Sequence, residues 1–420
     1  MAKINLETVR GMRDFMPEEK IMRDSVIEKI KKVFESYGFA PLETPVLENL
    51  ELMKREGGLG DEALKLVYDF KDKGDRQVCL RYDQTLPLAR VVAMNPQLPK
   101  PFKRYSIDKA WRYERPQAGR YREFYQCDID TIGTESPMAD AEIIACASAA
   151  LGAVGIEKFT WRINSRVLMN ELMEGAGVAK NQFTRVLRIL DKIDRVGAEE
   201  TAKELRTFLS EASVDDLIGL LKLRGDWYTV SKSMKICPEN RKVIEDFLKY
   251  LRDFGIKNFV FDLSLARGLD YYTGFVFEVD AGKEIGSIGG GGRYDDMIGA
   301  FSGQKTPATG IALGLERILE VLKLKKVKTK TKVYVVAIKA VEKAIEITEM
   351  IRKSGVNADI DLTGRDLRKN MEYAAKMEIP YVVFVGEREI KEGKVKLRNM
   401  TTGSEDLLDL KDAIEALKRH

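Results

Sequence analysis

Residues 111–126 read Trp-Arg-Tyr-Glu-Arg-Pro-Gln-Ala-Gly-Arg-Tyr-Arg-Glu-Phe-Tyr-Gln. Pro116 and Gly119 put a turn in the middle, so the stretch is two strands joined by a loop. Between 103 and 122, Lys103, Arg104, Lys109, Arg112, Arg115, Arg120 and Arg122 are opposed only by Asp108 and Glu114. Guanidinium forks match phosphate oxygens, and a polyphosphate needs several at once. A solvated, charged hairpin is the ordinary fate of such a run. Against that, Trp111, Tyr113, Phe124 and Tyr125 are interleaved with the charges as if on an inner face.

The rest of the chain bounds the chemistry. Its 420 residues, 44% hydrophobic and 32% charged, suffice for about two to four domains with real cores. The net charge of +4 neither demands nor excludes nucleic acid. The one histidine is the terminal His420, which argues against histidine-based triads, dyads, zinc sites and general bases. Cys79, Cys127, Cys146 and Cys237 form no CxxC pair and read as reduced thiols. No signal-peptide pattern and no apolar run of about 18 residues is evident, which points to a cytoplasmic protein without a membrane segment.

Working outward, 17–37 has the apolar spacing of an amphipathic helix, with Pro17 at its start and Gly38 at its end. The extended segment Phe39–Leu47 carries Pro41 and Pro45. Strand-like runs follow at 66–70, 78–82 and 124–132, then a helix over 138–154 and a strand at 160–163. Residues 166–253 carry only helical stripes and read as an insertion. Strands resume at 259–263, 272–279 and 284–288. The glycine-rich Ser287–Arg293 reads as an interruption before a helix over about 311–324, entered through Gly310-Ile-Ala-Leu-Gly-Leu-Glu-Arg317. Residues 323–332 hold six lysines and no acid, a solvated mobile linker. Beyond it, strands at 333–338, 356–361, 381–385 and 394–398 alternate with helices at 340–353, 366–377 and from 411, the pattern of a small α/β domain.

Taken singly, three further stretches are weak. Leu265-Ala-Arg-Gly-Leu-Asp-Tyr-Tyr-Thr-Gly274 offers a donor, an acceptor and an aromatic wall, yet also fits a plain strand entry. The glycines at 286–292 match neither a Walker loop nor a dinucleotide fingerprint. Arg317 alone fits an exposed helix residue. Taken together, they resemble a known family. The segment ending at Pro45, Arg112-Tyr-Glu114 with Arg120-x-x-x-Phe124, and Gly314-Leu-Glu-Arg317 resemble motifs 1, 2 and 3 of the class II aminoacyl-tRNA synthetases, in order. The stretch Leu265–Tyr272 and the segment Arg81-Tyr-Asp-Gln-Thr85 resemble signatures of the histidyl-tRNA synthetase family.

The resemblance covers essentially the whole chain. It implies an α/β (α+β) architecture: an antiparallel-sheet catalytic domain in two parts, 1–165 and 254–325, flanking a helical insertion, 166–253. A linker, 326–332, would lead to an α/β anticodon-binding domain, 333–420. The implied substrates are ATP, L-histidine and tRNA(His), with Mg²⁺ carried mainly on the ATP phosphates rather than by protein ligands, in a homodimer. Arg112 and Arg267 would be catalytic at the α-phosphate. Glu114 and Phe124 would hold adenine, and Arg120 and Arg317 the outer phosphates. Asp83, Thr85 and Gln126 would surround the histidine ammonium, Gln84 would also bind histidine, and Asp130, Tyr271 and Tyr272 would hold its imidazole. Arg115, Gln117, Arg365, Arg368 and Lys369 would meet tRNA, with Asn370 and Tyr373 in reach of anticodon bases. Asp83 and Asp130 are shorter than the glutamates of many bacterial members. Catalytically inactive relatives, regulatory or tRNA-sensing, are the alternative; the retained Arg112, Arg267 and Arg317 and the C-terminal domain argue against them, as the double tyrosine argues against another amino acid.

Overall fold

The computed structural model describes residues 6–54, 59–115, 119–266, 271–282, 286–324 and 326–419. The chain divides into two compact units: Met1–Asp14 with Val26–Lys323, and Leu324–His420 with Phe15–Ser25.

The first unit is built on a nine-stranded sheet. In spatial order its strands are Ala40–Pro41, Phe102–Trp111, Glu123–Ile132, Ala308–Gly314, Ser287–Arg293, Phe275–Asp280, Thr160–Ser165, Phe259–Asp262 and Arg224–Gly225. From Phe102–Trp111 to Thr160–Ser165, each of six neighbouring strands runs antiparallel to the next. Strand residues alternate between faces, and here the alternation sorts chemistry. One face sends Cys127, Ile129, Ile311, Leu313, Phe277 and Trp161 into the core. That core is closed by the helix Pro137–Val154, which contributes Ile143, Ala147 and Leu151. Ser136 caps this helix by accepting from Met138 N, and Gly155 ends it at φ 97°. The other face is polar or bare: Phe124, Gln126, Asp128 and Asp130, then Gly314, Ala312 and Gly310, then Gly290 and Gly292, lie side by side in register.

The glycine run is therefore strand Ser287–Arg293, not an interruption. Glycine weakens a strand when nothing approaches it, but here neighbours need the space. A Cβ on Gly292 would lie 2.8 Å from the Tyr272 ring, and one on Gly310 would lie 1.9 Å from Asp130 Oδ1. Strand Ala308–Gly314 likewise runs to the point where helix Leu315–Leu322 begins, so the helix is shorter than the 311–324 expected. The 166–253 stretch also departs from an all-helical block, because Arg224–Gly225 forms the sheet's edge. Its helices share the core with the sheet: Phe247 stacks on Phe275 at 4.0 Å, and Trp227 meets Phe261 at 4.8 Å. A three-stranded sheet, Leu47–Asn49, Gln77–Leu80 and Asp69–Lys71, completes the unit.

The second unit has five strands in the order Ala358–Ile360, Val333–Ile338, Tyr381–Gly386, Lys394–Asn399 and Glu405–Asp409. The first three are parallel and the last two antiparallel. Apolar clusters cover both faces, one around Val335, Val383, Ile347 and Leu417, the other around Tyr334, Val336, Phe384 and Ala374. Strand Glu405–Asp409 has no counterpart in the sequence reading; four of its five residues are exposed, which erases the alternation that marks a half-buried strand. The lysine-rich segment is not wholly free, since Lys328 Nζ donates to Lys376 O at 2.9 Å and pairs with Glu378 at 3.1 Å.

Candidate active site

The bare face of the large sheet is the floor of a cleft made of two adjoining cavities, about 360 Å³ and about 650 Å³. Arg112, Arg120, Gln126 and Glu278 line both.

The smaller cavity is acidic. Asp83, Thr85, Gln126, Asp128, Asp130, Tyr271, Tyr272 and Tyr294 line it. Asp83 sits just before helix Thr85–Met94 and caps it, Oδ1 accepting from Thr85 N and Leu86 N at 3.1 Å each. Its Oδ2 is buried and accepts no hydrogen bond. Asp130 is held on both sides: Arg104 Nη2 lies 2.7 Å from Oδ2, and the Tyr294 hydroxyl donates to Oδ1. Burial pushes the carboxyls of Asp83 and Asp130 up from the usual carboxylate range, although hydrogen bonds and Arg104 oppose it. Tyr271 and Tyr272 pack ring to ring at 4.8 Å, with Tyr294 edge-on to Tyr271 at 6.1 Å. Gln84 does not line the cavity. Its Nε2 donates to Asp108 O at 3.0 Å and Gln126 O at 3.3 Å, which ties the helix start to the hairpin.

The larger cavity is lined by Arg112, Glu114, Arg120, Phe124, Glu278, Ser287, Glu316 and Arg317. Arg112 Nε donates to Tyr82 O at 3.2 Å, and its guanidinium lies 4.3 Å from the Tyr82 ring and 5.1 Å from the Phe124 ring. Burial opposes its charge, but Tyr82, Asp83 and Glu114 more than offset this. Arg317 Nη1 donates to Ser287 O at 2.9 Å. Burial, and then the nearby Arg120, push its guanidinium down from its ordinary value. Two cations held against each other across a cavity form a site that an anion stabilises. Glu316 Oε2 accepts from Tyr125 N at 3.1 Å, locking the helix start to the hairpin strand.

The structure thus gathers Asp83, Thr85, Arg112, Glu114, Arg120, Phe124, Gln126, Asp130, Tyr271, Tyr272 and Arg317 into one cleft. Arg267 and Gln117 lie outside the described residues, and Arg115 is exposed at the loop's start. In the second unit, Arg368 and Lys369 are exposed on helix Leu367–Lys376, while Arg365 lies over the Tyr373 ring at 4.5 Å. One expectation fails there. Asn370 is 1% exposed, its amide donating to Asp361 and Arg365 O and accepting from the Tyr334 hydroxyl, so it cannot read a base. The helix start does not offer a bare row of NH groups, because Asp366 already accepts from Lys369 N at 2.8 Å.

Tyr82, Asp128 and Tyr294 escaped sequence reasoning as site residues, and Arg104, read there as one cation of the phosphate-directed basic run, instead pairs with Asp130. Asp128 had a signal, because it shares its period-two face with Gln126 and Asp130. Arg104 and Tyr294 act through partners distant in sequence and had none.

Comparisons with known proteins agree with this geometry. Residues 11–318 match the histidyl-tRNA synthetase family, and residues 330–420 match the anticodon binding domain. The chain is 41% identical to the histidine–tRNA ligase of Thermococcus kodakarensis, the match covering 98% of each. It is 39% identical to the histidine–tRNA ligase of Aeropyrum pernix, over 98% of this chain and 97% of that protein. The crystal structure of histidyl-tRNA synthetase from Nostoc sp. PCC 7120 superposes with a TM-score of 0.84 at 29% identity, covering 99% of this chain and 100% of that one.

Proposed function

The chain belongs to the histidyl-tRNA synthetase family, and from that premise we propose how its cleft residues divide the work. The activity is that of a histidine–tRNA ligase with ATP as substrate. The histidine carboxylate attacks the α-phosphate, a new carboxyl-phosphate bond forms, the bond to the β-phosphate breaks, and pyrophosphate leaves. The 3′-terminal hydroxyl of tRNA(His) then takes the histidyl group, and AMP leaves. Positioning and charge neutralisation dominate such a transfer, so the lack of a usable histidine side chain is no handicap.

One observation carries the assignment of roles: the polarity gradient along strand Glu123–Ile132. Its carboxylates Asp128 and Asp130 lie at one end of the cleft, and Phe124 lies at the other among Arg112, Arg120 and Arg317. A zwitterionic amino acid fits the first end with its ammonium inward, and a nucleoside triphosphate fits the second. Arg112, between them, grips the α-phosphate beside the attacking carboxylate, with Arg267 as its counterpart. Arg120 and Arg317 hold the outer phosphates, Phe124 stacks on adenine, and Glu114 accepts from its amino group. Asp83, Thr85 and Gln126 take the ammonium. Asp130, oriented by Arg104 and Tyr294, faces the imidazole with Tyr271 and Tyr272, and Gln84 supports the segment that holds Asp83. Mg²⁺ would be carried mainly by ATP and would supply charge neutralisation at the outer phosphates, beside Arg120 and Arg317.

Arg115, Gln117, Arg365, Arg368 and Lys369 are proposed to meet tRNA. A homodimer is also proposed. Val46, Leu47 and Phe70 leave 39%, 48% and 46% of their surface exposed around the small sheet, a face that a second copy would cover. Against the expectation that no apolar run of about 18 residues exists, helix Pro137–Val154 is long and apolar enough to cross a membrane; 61% of it is buried inside the protein, which supports a core helix and the proposed cytoplasmic location. The deciding experiment is ATP–pyrophosphate exchange with each of the twenty amino acids. Histidine alone should support it, and exchange with another amino acid at comparable efficiency would overturn the reading.

A further inference from the structure

The acidic end of the cleft contains a carboxylate with no assigned work. Asp128 is 2% exposed and lies between Gln126 and Asp130 on the cavity side of their shared strand. Its register partners are Ser106 and Ala312, and Oδ1 accepts no hydrogen bond. Asp83 Oδ2, in the same cavity, is likewise buried without a donor. Gln84 fastens the Asp83 segment to the same strand through Gln126 O, so the two acids are held near one another by a short, buried bridge. The local cations do not balance them. Arg104 is paired with Asp130, and Arg112 is turned toward the rings of Tyr82 and Phe124. A buried carboxylate oxygen left without a donor is unfavourable, so two of them facing one cavity mark the seat of a compact cation.

We propose that Asp128 is a ligand of the substrate's α-ammonium, sharing it with Asp83. This rests on the reading of this cavity as the histidine subsite. The ammonium, not the neutral imidazole, is the lasting positive charge of histidine near neutral pH. It carries three donors, more than the free oxygen of Asp83 can use. Proton traffic follows. Burial holds the Asp128 carboxyl well above the usual carboxylate range; Asp130 and Asp83 push the same way, and Arg104 and Arg112 oppose them. The phenols of Tyr271 and Tyr272 face the same cavity, as do those of Tyr82 and Tyr294, which burial pushes up and keeps protonated. The empty cleft therefore favours the neutral form of Asp128. A docked ammonium favours the carboxylate instead, and the proton that Asp128 gives up leaves to solvent.

The test is calorimetric titration of the full chain at about pH 7.5, where free imidazole is mostly neutral. Three probes separate the groups: histidine, histidinol, which lacks the carboxylate, and imidazole-propionate, which lacks the ammonium. Asp128→Asn should weaken histidine and histidinol by at least about tenfold and leave imidazole-propionate within about twofold. Wild type should release about one proton with histidine and histidinol but not with imidazole-propionate, read from buffers of different ionisation enthalpy. Unchanged histidine binding in the variant, or equal weakening of all three probes, would overturn the proposal. The proton measurement on wild type stands even if the variant fails to fold, and absence of release with histidine overturns the proposal by itself. If wild type binds histidine no better than leucine, the subsite reading fails instead, and the proposal falls with it.

Discussion

On strand Glu123–Ile132, Gln126, Asp128 and Asp130 alternate as buried polar residues, and Gln126 Oε1 and Asp128 Oδ1 have no donor. On strand Tyr381–Gly386 of the second unit, all six residues are buried and only Tyr381 has a polar side-chain atom. Around Tyr334 the second unit closes its buried polar circuit: the Tyr334 hydroxyl donates to Asn370 Oδ1 at 2.9 Å, and Asn370 Nδ2 donates to Asp361 at 3.1 Å. Both regions are central strands under the same backbone rules. The difference is that one circuit is completed inside the protein and the other is left for a ligand to complete, at a cost in stability.

The largest expected effect tests the open circuit directly. Arg112→Ala should lower histidine-dependent pyrophosphate exchange about a hundredfold or more, the loss of about 3–4 kcal/mol of transition-state stabilisation. Its melting temperature should move far less than its activity, because the guanidinium is set toward a ligand. Exchange within a few-fold of wild type would remove Arg112 from the reacting phosphate.

The next contrast uses glycine in each region. Gly310→Ala places a methyl 1.9 Å from Asp130 Oδ1, which Arg104 and Tyr294 prevent from yielding. It should cost about 1–3 kcal/mol of stability and reduce histidine activation at least tenfold. Gly386→Ala meets Glu389 Oε2 at 2.7 Å, the far end of a flexible side chain, and should leave exchange unchanged. Equal effects at the two positions would show that the cleft floor is not specially constrained.

This contrast also marks what the sequence alone could tell. The hairpin around Arg112 and Gly119, the order of the motifs and the α/β alternation beyond 333 were legible because each is local in spacing. The glycine strand was not, because glycine disfavours strands and only the approach of Tyr272 and Asp130 explains it. Arg104 and Tyr294 were illegible for the same reason, each orienting Asp130 from a different strand or its end. Asn370 shows the opposite error: a polar residue beside two cations on a helix reads as a recognition group, and only its burial reveals a structural one.

Aspartates in the two regions should respond to pH with opposite sign. Asp128 has a raised carboxyl, so the folded state favours its neutral form, and its contribution to stability is lost as pH rises from the unfolded value of about 3.9 toward the folded one. Asp128→Asn does not titrate and should melt above wild type, the gap widening from about pH 5 to pH 7. Burial alone would raise Asp361, but hydrogen bonds from Thr363, Asn370 and Arg365 hold it below its ordinary value. Its contribution is present above the unfolded value and lost as pH falls through the folded one. Asp361→Asn should therefore destabilise at pH 7, by about 1–3 kcal/mol for the mispaired network, and much less near pH 3. Shifts of the same sign in both variants would erase the distinction between open and closed circuits.

The smallest effect concerns the one place where the second unit's closed circuit competes with its proposed ligand. Helix Leu367–Lys376 begins with Asp366, whose carboxylate caps Lys369 N at 2.8 Å and pairs with Lys369 Nζ at 3.6 Å. Arg368 is drawn to Glu372 at 3.0 Å. Arg368 and Lys369, both proposed RNA contacts, thus each have an acid of their own helix or its cap beside them, and exposed pairs of this kind hold weakly. Asp366→Ala should cost about 1 kcal/mol of stability as the cap is lost. It should also free Lys369 and the helix-start NH groups for phosphate, so tRNA should bind a few-fold more tightly at low salt, with a salt dependence steeper by about one counterion. Pyrophosphate exchange, which needs no tRNA, should not change. A stability loss with no gain in tRNA affinity would show that this helix start faces solvent and that tRNA is held elsewhere on the chain.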